Sequence, residues 1–359
     1  MAKTKTRAPV STPSPRLTLE AEKLISLSEA LELALLSVMR RSLQKWLKLS
    51  DEEARHMVSS VSITQQTRRL LAKVSDTRTK LVVEALTKAH KQAVADAAKA
   101  LAKGGIATTL EKMDSKAAMA ALANALSSRL GETDMHVLRS VDDIYRKVMA
   151  EATSYALADN ATRLQAAQRA LDRFAGEGIT GFVDSAGREW NLASYTEMAA
   201  RTSIHNAERQ GVIDGVRATG RDLVMISGSP ACCDLCAPWE GQVVSLDGMT
   251  TGYPTLSDAE ADGVFHPGCR HTVAPYVEGL TRADYYQQGD PERYAAEQQQ
   301  RYLERGLRQW KRREALALDP TQAQLAQNKI GEWRRRLEEH VTKHDLPRER
   351  EREQISKAI

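Results

Sequence analysis

From Arg16 to Lys103 the chain contains neither proline nor glycine, a run of 88 residues. Proline lacks the backbone N–H a helix needs, and glycine loses the most backbone entropy on entering one. A stretch this long without either is a strong helix signal. No further proline occurs until Pro230. Leu24, Leu27, Leu31, Leu35 and Val38 recur every three or four residues, the spacing of one apolar stripe on a helix. Ser50-Asp51-Glu52-Glu53 sets a capping hydroxyl ahead of first-turn carboxylates and reads as a restart. A second helical segment is expected over about 51–103, with a candidate break near Ser75, ended by Gly104-Gly105. A third is expected over about 109–130, stopping at Gly131. In the glycine-free run 132–175, Val137, Val141, Ile144 and Val148 form a stripe. Leu164, Leu171 and Phe174 continue it beyond a break near Asn160. These patterns predict helix packed on helix.

Only 5% of the 359 residues are aromatic, with three Phe, so the cores are expected to be aliphatic. The length suits two or three domains. There are 51 basic and 47 acidic residues, a mixed surface of net charge +4 that neither demands nor rejects nucleic acid. No run of 18 apolar residues occurs, so no membrane span is expected. The N-terminus is basic without an apolar segment and does not read as a signal peptide. Residues 1–16 hold three prolines among small polar and basic residues and are expected to form a disordered basic arm.

The texture changes at Gly176. Ile179–Asp184 and Arg188–Leu192 flank Ser-Ala-Gly and read as a short hairpin. Ser194-x-x-Glu197 reads as a capping box opening a helix to about Thr219. Leu223–Ser227, Gln242–Leu246 and His271–Val277 are strand candidates. Gly228 to Gly279 holds five prolines and seven glycines, a loop-rich stretch too poor in core to stand without a staple. Asp290-Pro291 and Asp319-Pro320 each place a cap before a first-turn proline, giving helices over about 291–318 and 320–345. Leu325, Ile330, Trp333, Leu337 and Val341 supply a stripe on the second. The charged tail from Pro347 is expected to fray. The fold class expected is mainly α with a small α+β module. A disordered arm (1–16) precedes an extended helical region (17–163), a compact Cys/His-stapled α+β domain (164–280), and C-terminal helices with a charged tail (281–359).

All four cysteines lie between Cys232 and His271. Cys233-x-x-Cys236 and His266-x-x-Cys269 are two ligand pairs, each short enough for one turn to present both side chains to one ion. A closed zinc site takes four N or S ligands in a tetrahedron. Cys233, Cys236, His266 and Cys269 would supply three sulfurs and one nitrogen to a structural Zn2+. Cys232 and His271 are spare donors that leave the ligand set open. A redox pair, a disulfide from Cys232 or Cys233 to Cys269, and a metal-free packed turn are the other readings of this stretch.

Catalytic patterns are scarce. The chain has no G-x-S-x-G and no Walker-type phosphate loop. Gly176-x-Gly178-x-x-Gly181 matches a dinucleotide pattern but leads from helix into hairpin, the reverse of the required order. His205, with Arg201 and Glu208 at helical spacing, reads as a helix face. Asp258, Glu260 and Asp262 open like a calcium loop, yet Cys269 stands where the closing Glu belongs, so a solvated loop is expected. The enzyme alternative is a zinc-supported nuclease of the His-Asn-His type, suggested by Cys-x-x-Cys followed by His-Pro. No Asn or His follows Cys269 at the helical spacing such an enzyme uses.

Several pieces in fixed order resemble the phage minor capsid protein 2 family, related to Mu F-type head-morphogenesis proteins. They are Gly178-Ile-Thr-Gly-Phe-Val-Asp184, Gly187-Arg-Glu-Trp-Asn-Leu-Ala-Ser-Tyr-Thr-Glu-Met198 and Ala200-Arg-Thr202, then Asp222-Leu-Val224, Cys233-x-x-Cys236-x-Pro-Trp-Glu-Gly241 and Phe265-His-Pro-x-Cys-Arg-His271. The resemblance covers about 164–280 and departs at the extra Cys232. It implies a non-enzymatic structural component of the virion, assembled in the host bacterial cytoplasm and present in few copies at the portal vertex. The implied partners are the phage portal protein, capsid subunits and packaged DNA. The N-terminal helices would then face the portal, and the Cys/His module would form a compact knob.

Overall fold

The computed structural model describes residues 15–50, 52–53, 61–106, 116–158, 162–177, 179–183, 187, 189–229, 232–279, 281 and 290–355. Among them are eight α-helices: α1 (Pro15–Trp46), α2 (Val61–Lys103), α3 (Lys116–Ala158), α4 (Arg163–Glu177), α5 (Leu192–Arg217), α6 (Leu256–Ala261), α7 (Pro291–Leu316) and α8 (Pro320–Lys343). Strands β1 (Thr180–Val183) and β2 (Glu189–Asn191) form an antiparallel hairpin. Strands β3 (Leu223–Ile226), β4 (Val243–Ser245) and β5 (Val273–Pro275) form an antiparallel sheet in the order β4-β3-β5. The fold is mainly α with a small α+β part. The expected disordered arm falls almost wholly on residues 1–14, outside the described residues.

Several boundaries differ from the sequence expectation, each for a physical reason. Gly131 does not end a helix, because α3 runs straight through it. A mid-helix glycine costs only about 1 kcal/mol, and Leu126, Leu130, Val137 and Val141 keep one buried stripe in phase across it. Helix α2 is unbroken at Ser75, where no proline or glycine interrupts it. Helix α5 begins before Ser194, because the Asn191 side chain accepts the Ser194 N–H at 2.8 Å and supplies the cap. The stretch read as a solvated acidic loop forms α6, with Asp258 spent on a reciprocal capping box with Thr255. The charged tail is held rather than frayed through Glu353: Arg348 binds Glu353 through two parallel hydrogen bonds of 2.6 and 2.9 Å, and Leu346 is buried. The proline-headed helices form as expected, with Asp290 and Asp319 capping α7 and α8.

The chain divides into two compact units. One comprises 24–78, 128–196 and 296–359. Its core joins Leu31, Leu35, Met39 and Trp46 of α1 to Val137, Val141 and Tyr145 of α3 and to Leu171 and Phe174 of α4. The other comprises 1–23, 79–127 and 197–295. There Ala93, Ala97 and Leu101 of α2 and Val212, Ile213 and Val216 of α5 pack with Val224, Ile226, Val244 and Val273 of the sheet. The same cluster takes in Cys232, Cys236 and Cys269. Small residues set the α2–α5 approach. A Cβ at Gly211 would stand 2.6 Å from the His90 carbonyl oxygen and 2.8 Å from the Ala93 Cβ. Gly211→Ala therefore drives a methyl group into the α2 backbone at His90 and is expected to cost about 1–3 kcal/mol, read as a lowered urea midpoint at unchanged slope. No helix among the described residues is long and apolar enough to cross a membrane.

Candidate metal centre

The centre is built by two tight turns. In the first, the Cys233 carbonyl accepts the N–H groups of Cys236 at 3.1 Å and Ala237 at 3.0 Å, and a 3-10 turn over Ala237–Trp239 follows. In the second, the Cys269 N–H donates to the His266 carbonyl at 2.9 Å. Gly268 there sits at φ +81°, a conformation glycine adopts without a Cβ penalty. Helix α5 supports this second turn. Thr202 Oγ1 accepts the Gly268 N–H at 3.0 Å, and the Arg209 guanidinium lies 4.2 Å from the centre of the Phe265 ring.

The turns bring their four candidate donors into two contacts. Cys233 Sγ stands 3.2 Å from His266 Nε2, and Cys236 Sγ stands 3.6 Å from Cys269 Sγ. Zinc bonds of about 2.3 Å to sulfur and about 2.0 Å to nitrogen make tetrahedral edges of about 3.7 Å between sulfurs and about 3.5 Å between sulfur and nitrogen. Both contacts lie near those edges. The donor atoms of Cys233, Cys236 and His266 lie within 4.8 Å of one another, as do those of Cys236, Cys269 and His271. His266 Nδ1 donates to the Pro267 carbonyl at 3.0 Å, which orients the ring with Nε2 toward Cys233. These groups can hold a metal ion.

The electrostatics suit a thiolate ligand. A hydrogen bond from the Cys236 thiol, with ring and backbone N–H groups of His271, holds Cys269 well below the usual thiol range against burial. Cys236 is correspondingly raised, by its bond to Cys269 and by burial, and keeps the proton of that pair. Burial pushes Cys233 up, but the Cys236 N–H and His266 outweigh it and lower the thiol. Burial and the neighbouring Glu240 raise Cys232. All four thiols are free, and 3.6 Å between Cys236 and Cys269 is well beyond a disulfide bond of about 2.05 Å.

The spare donors form a second knot. His271 Nδ1 lies 3.3 Å from Cys269 Sγ. Its Nε2 lies 2.7 Å from Glu240 Oε1 and 3.5 Å from Cys232 Sγ. Sequence reasoning missed Glu240 as a site residue, although it stands in the Pro-Trp-Glu-Gly run after Cys236. Arg209 and Thr202 were missed as well, because their contacts span tens of residues. His205 pairs with Glu208 at 3.2 Å, and Arg201 with Glu197 at 3.2 Å, each within α5. The glycine pattern at 176–181 spans the end of α4 and the start of β1, not a strand-to-helix turn.

Asp222 braces the turn that follows β4. Its carboxylate accepts the N–H groups of Leu246 at 2.9 Å, Asp247 at 3.1 Å and Thr250 at 3.0 Å, and the Ser245 hydroxyl. Burial would raise its pKa, but these hydrogen bonds win and hold it at about 2. A carboxylate depressed on folding stabilises above its unfolded value of about 4 and loses that contribution as pH falls toward 2. The wild-type melting temperature is therefore expected to fall more steeply between pH 4 and pH 2 than that of Asp222→Asn, and a parallel decline would refute this role.

Comparison with known proteins adds relatives. The family described as phage minor capsid protein 2 matches residues 13–342. A structural protein of Lactococcus phage LL-H is 26% identical over 186 residues, 48% of this chain and 50% of that protein. A structural protein of Lactococcus phage mv4 is 32% identical over 114 residues, 29% of this chain and 93% of that protein. The chain thus spans half the length of the LL-H relative. No solved structure matches it.

Proposed function

Because the chain belongs to the phage minor capsid protein 2 family, we propose that it is a minor structural protein of the virion, placed at the portal vertex and acting in head morphogenesis. The family match over 13–342 carries this reading. The two similar phage proteins, each named a structural protein, support it. Its partners are the portal protein and capsid subunits, with packaged DNA as a further contact, and it assembles in the host bacterial cytoplasm. Its long helices serve as docking surface. Cys233, Cys236, His266 and Cys269 hold one structural Zn2+ that staples the loop-rich segment. Four filled positions leave none for the water a catalytic zinc needs, and the chain performs no reaction in this reading.

The nuclease alternative gains no support from the geometry. The residues after His271 enter strand β5 rather than a helix that could carry a further catalytic side chain. Two experiments test the proposal. Gradient-purified particles of the encoding phage should contain the chain in few copies, and affinity-tagged chain should recover the portal protein from infected cells. Absence from purified particles would overturn the structural reading. Metal-dependent DNA cleavage by the purified chain, lost in His266→Ala, would establish the nuclease instead.

A further inference from the structure

Outside the four-ligand set, three chemically different donors converge in the interior. Cys232 and His271 are each 3% exposed, and the Glu240 side chain is 2% exposed. Their donor atoms lie within 4.8 Å of one another. Cys232 Sγ to His271 Nε2 is 3.5 Å, the edge expected when one zinc-like ion binds both. The Ser229 N–H donates to Glu240 Oε1 at 2.7 Å and fixes the carboxylate toward the imidazole.

The imidazole's two sides decide what this knot requires. Nδ1 stands 3.3 Å from Cys269 Sγ, and the His271 backbone N–H lies 3.4 Å from the same sulfur. If Cys269 ligates the first ion as thiolate, Nδ1–H is its natural hydrogen-bond donor, as for imidazoles in the outer shell of metal sites. Nε2 stands 2.7 Å from a carboxylate oxygen, a contact that takes either a proton on Nε2 or a metal ion shared by the two. A proton would satisfy the Glu240–His271 contact alone. A divalent ion would engage Glu240, His271 and Cys232 together, with the 2.7 Å Glu240–His271 contact opening to the tetrahedral edge of about 3.3 Å. One carboxylate and one thiolate would neutralise it, which is what burial of charge demands.

We propose that Cys232, Glu240 and His271 bind a second divalent ion of the zinc class, linked to the first through the His271–Cys269 contact. A thiolate, an imidazole and a carboxylate together suit zinc better than magnesium or calcium, which prefer all-oxygen sites. The inference rests on the zinc-knuckle reading for the state of Cys269, but the second site has its own donors and its own test.

The test is zinc content of the full chain, purified under reducing conditions without chelator and dialysed against zinc. Circular dichroism establishes folding of each variant. Two zinc ions per wild-type chain are expected, falling to one in Cys232→Ser and in the nearly isosteric Glu240→Gln. Cys233→Ser should lose the other ion and keep this one. One zinc that persists in Glu240→Gln and disappears in Cys233→Ser overturns the second site and leaves the knuckle standing. One zinc with the opposite pattern overturns the knuckle and leaves the second site. A zinc-free wild type overturns both, and Glu240–His271 is then a proton-bridged pair.

Discussion

Cys236→Ser and Cys269→Ser are each expected to release zinc and to lower the melting temperature by about 6–12 °C. The estimate takes about 3 kcal/mol for a structural ion in a partly preformed site, well below the 10–16 kcal/mol seen when metal drives all of folding. The effect is large because the module has little else. Its strands are three or four residues long, and Cys232, Cys236 and Cys269 are themselves members of its hydrophobic cluster. Calorimetry with and without chelator separates metal from packing. Chelator should move the wild type further than it moves either variant, because a variant can lose only an ion held by Cys232, Glu240 and His271. A larger chelator shift in the wild type than in the variants identifies the knuckle ion as a stabilising element, whereas equal shifts in all three place the stabilising metal elsewhere.

Glu32→Ala is expected to destabilise the other unit by about 3–5 kcal/mol, the cost of leaving a buried charge without its partner. Glu32 is 1% exposed and sits on the inward face of α1. One carboxylate oxygen accepts the Ile179 N–H at 3.0 Å, and the other faces Arg312 Nη1 at 3.5 Å. Arg312 Nε in turn donates to the Ala175 carbonyl at 3.3 Å. This network ties α1, the end of α4 and α7 together through groups that otherwise need water. Removing Glu32 orphans the Ile179 N–H and leaves the Arg312 guanidinium, still bonded to the Ala175 carbonyl, without its counter-charge. In Glu32→Leu with Arg312→Met the charge is gone from both sides, so much of the loss should return. Urea melts of the single and double variants measure the coupling. A double variant as unstable as the sum of the singles would mean that Glu32 and Arg312 act independently.

The helices were legible because helix is a local property. The proline- and glycine-free run gave α1 and α2, and Asp290-Pro291 and Asp319-Pro320 marked two N-termini correctly. Misreadings came where burial overruled punctuation. Gly131 looked like a stop, but the stripe through Leu130 and Val137 carries the helix past it. Ser194 looked like a cap, yet Asn191 at the hairpin's end reached the position first. Side-chain networks were not legible at all. Glu32 reads as one more charge on a charged helix until Ile179 and Arg312 arrive beside it.

The metal centre was partly legible. Cys-x-x-Cys and His-x-x-Cys spacing marks donors because a turn must present both side chains at once; Cys233 meets His266 and Cys236 meets Cys269, while Cys269 clusters with Cys236 and His271 and not with Cys233 and His266. What spacing cannot show is how a spare donor is used. His271 and Cys232 acquire meaning only with Glu240, which a sheet and two loops bring to them. Nor can spacing show support from outside the motif, such as Thr202 under Gly268 and Arg209 on Phe265.

The metal content of full-length protein, purified under reducing conditions without chelator, tests the stapled module most directly, with melting recorded before and after chelation. The structure predicts at least one zinc per chain and a melting temperature that drops when zinc is removed and recovers when it is returned. A metal-free protein whose melting temperature ignores chelator would contradict it, leaving Cys232 to His271 as a packed turn and the virion role resting on family membership alone.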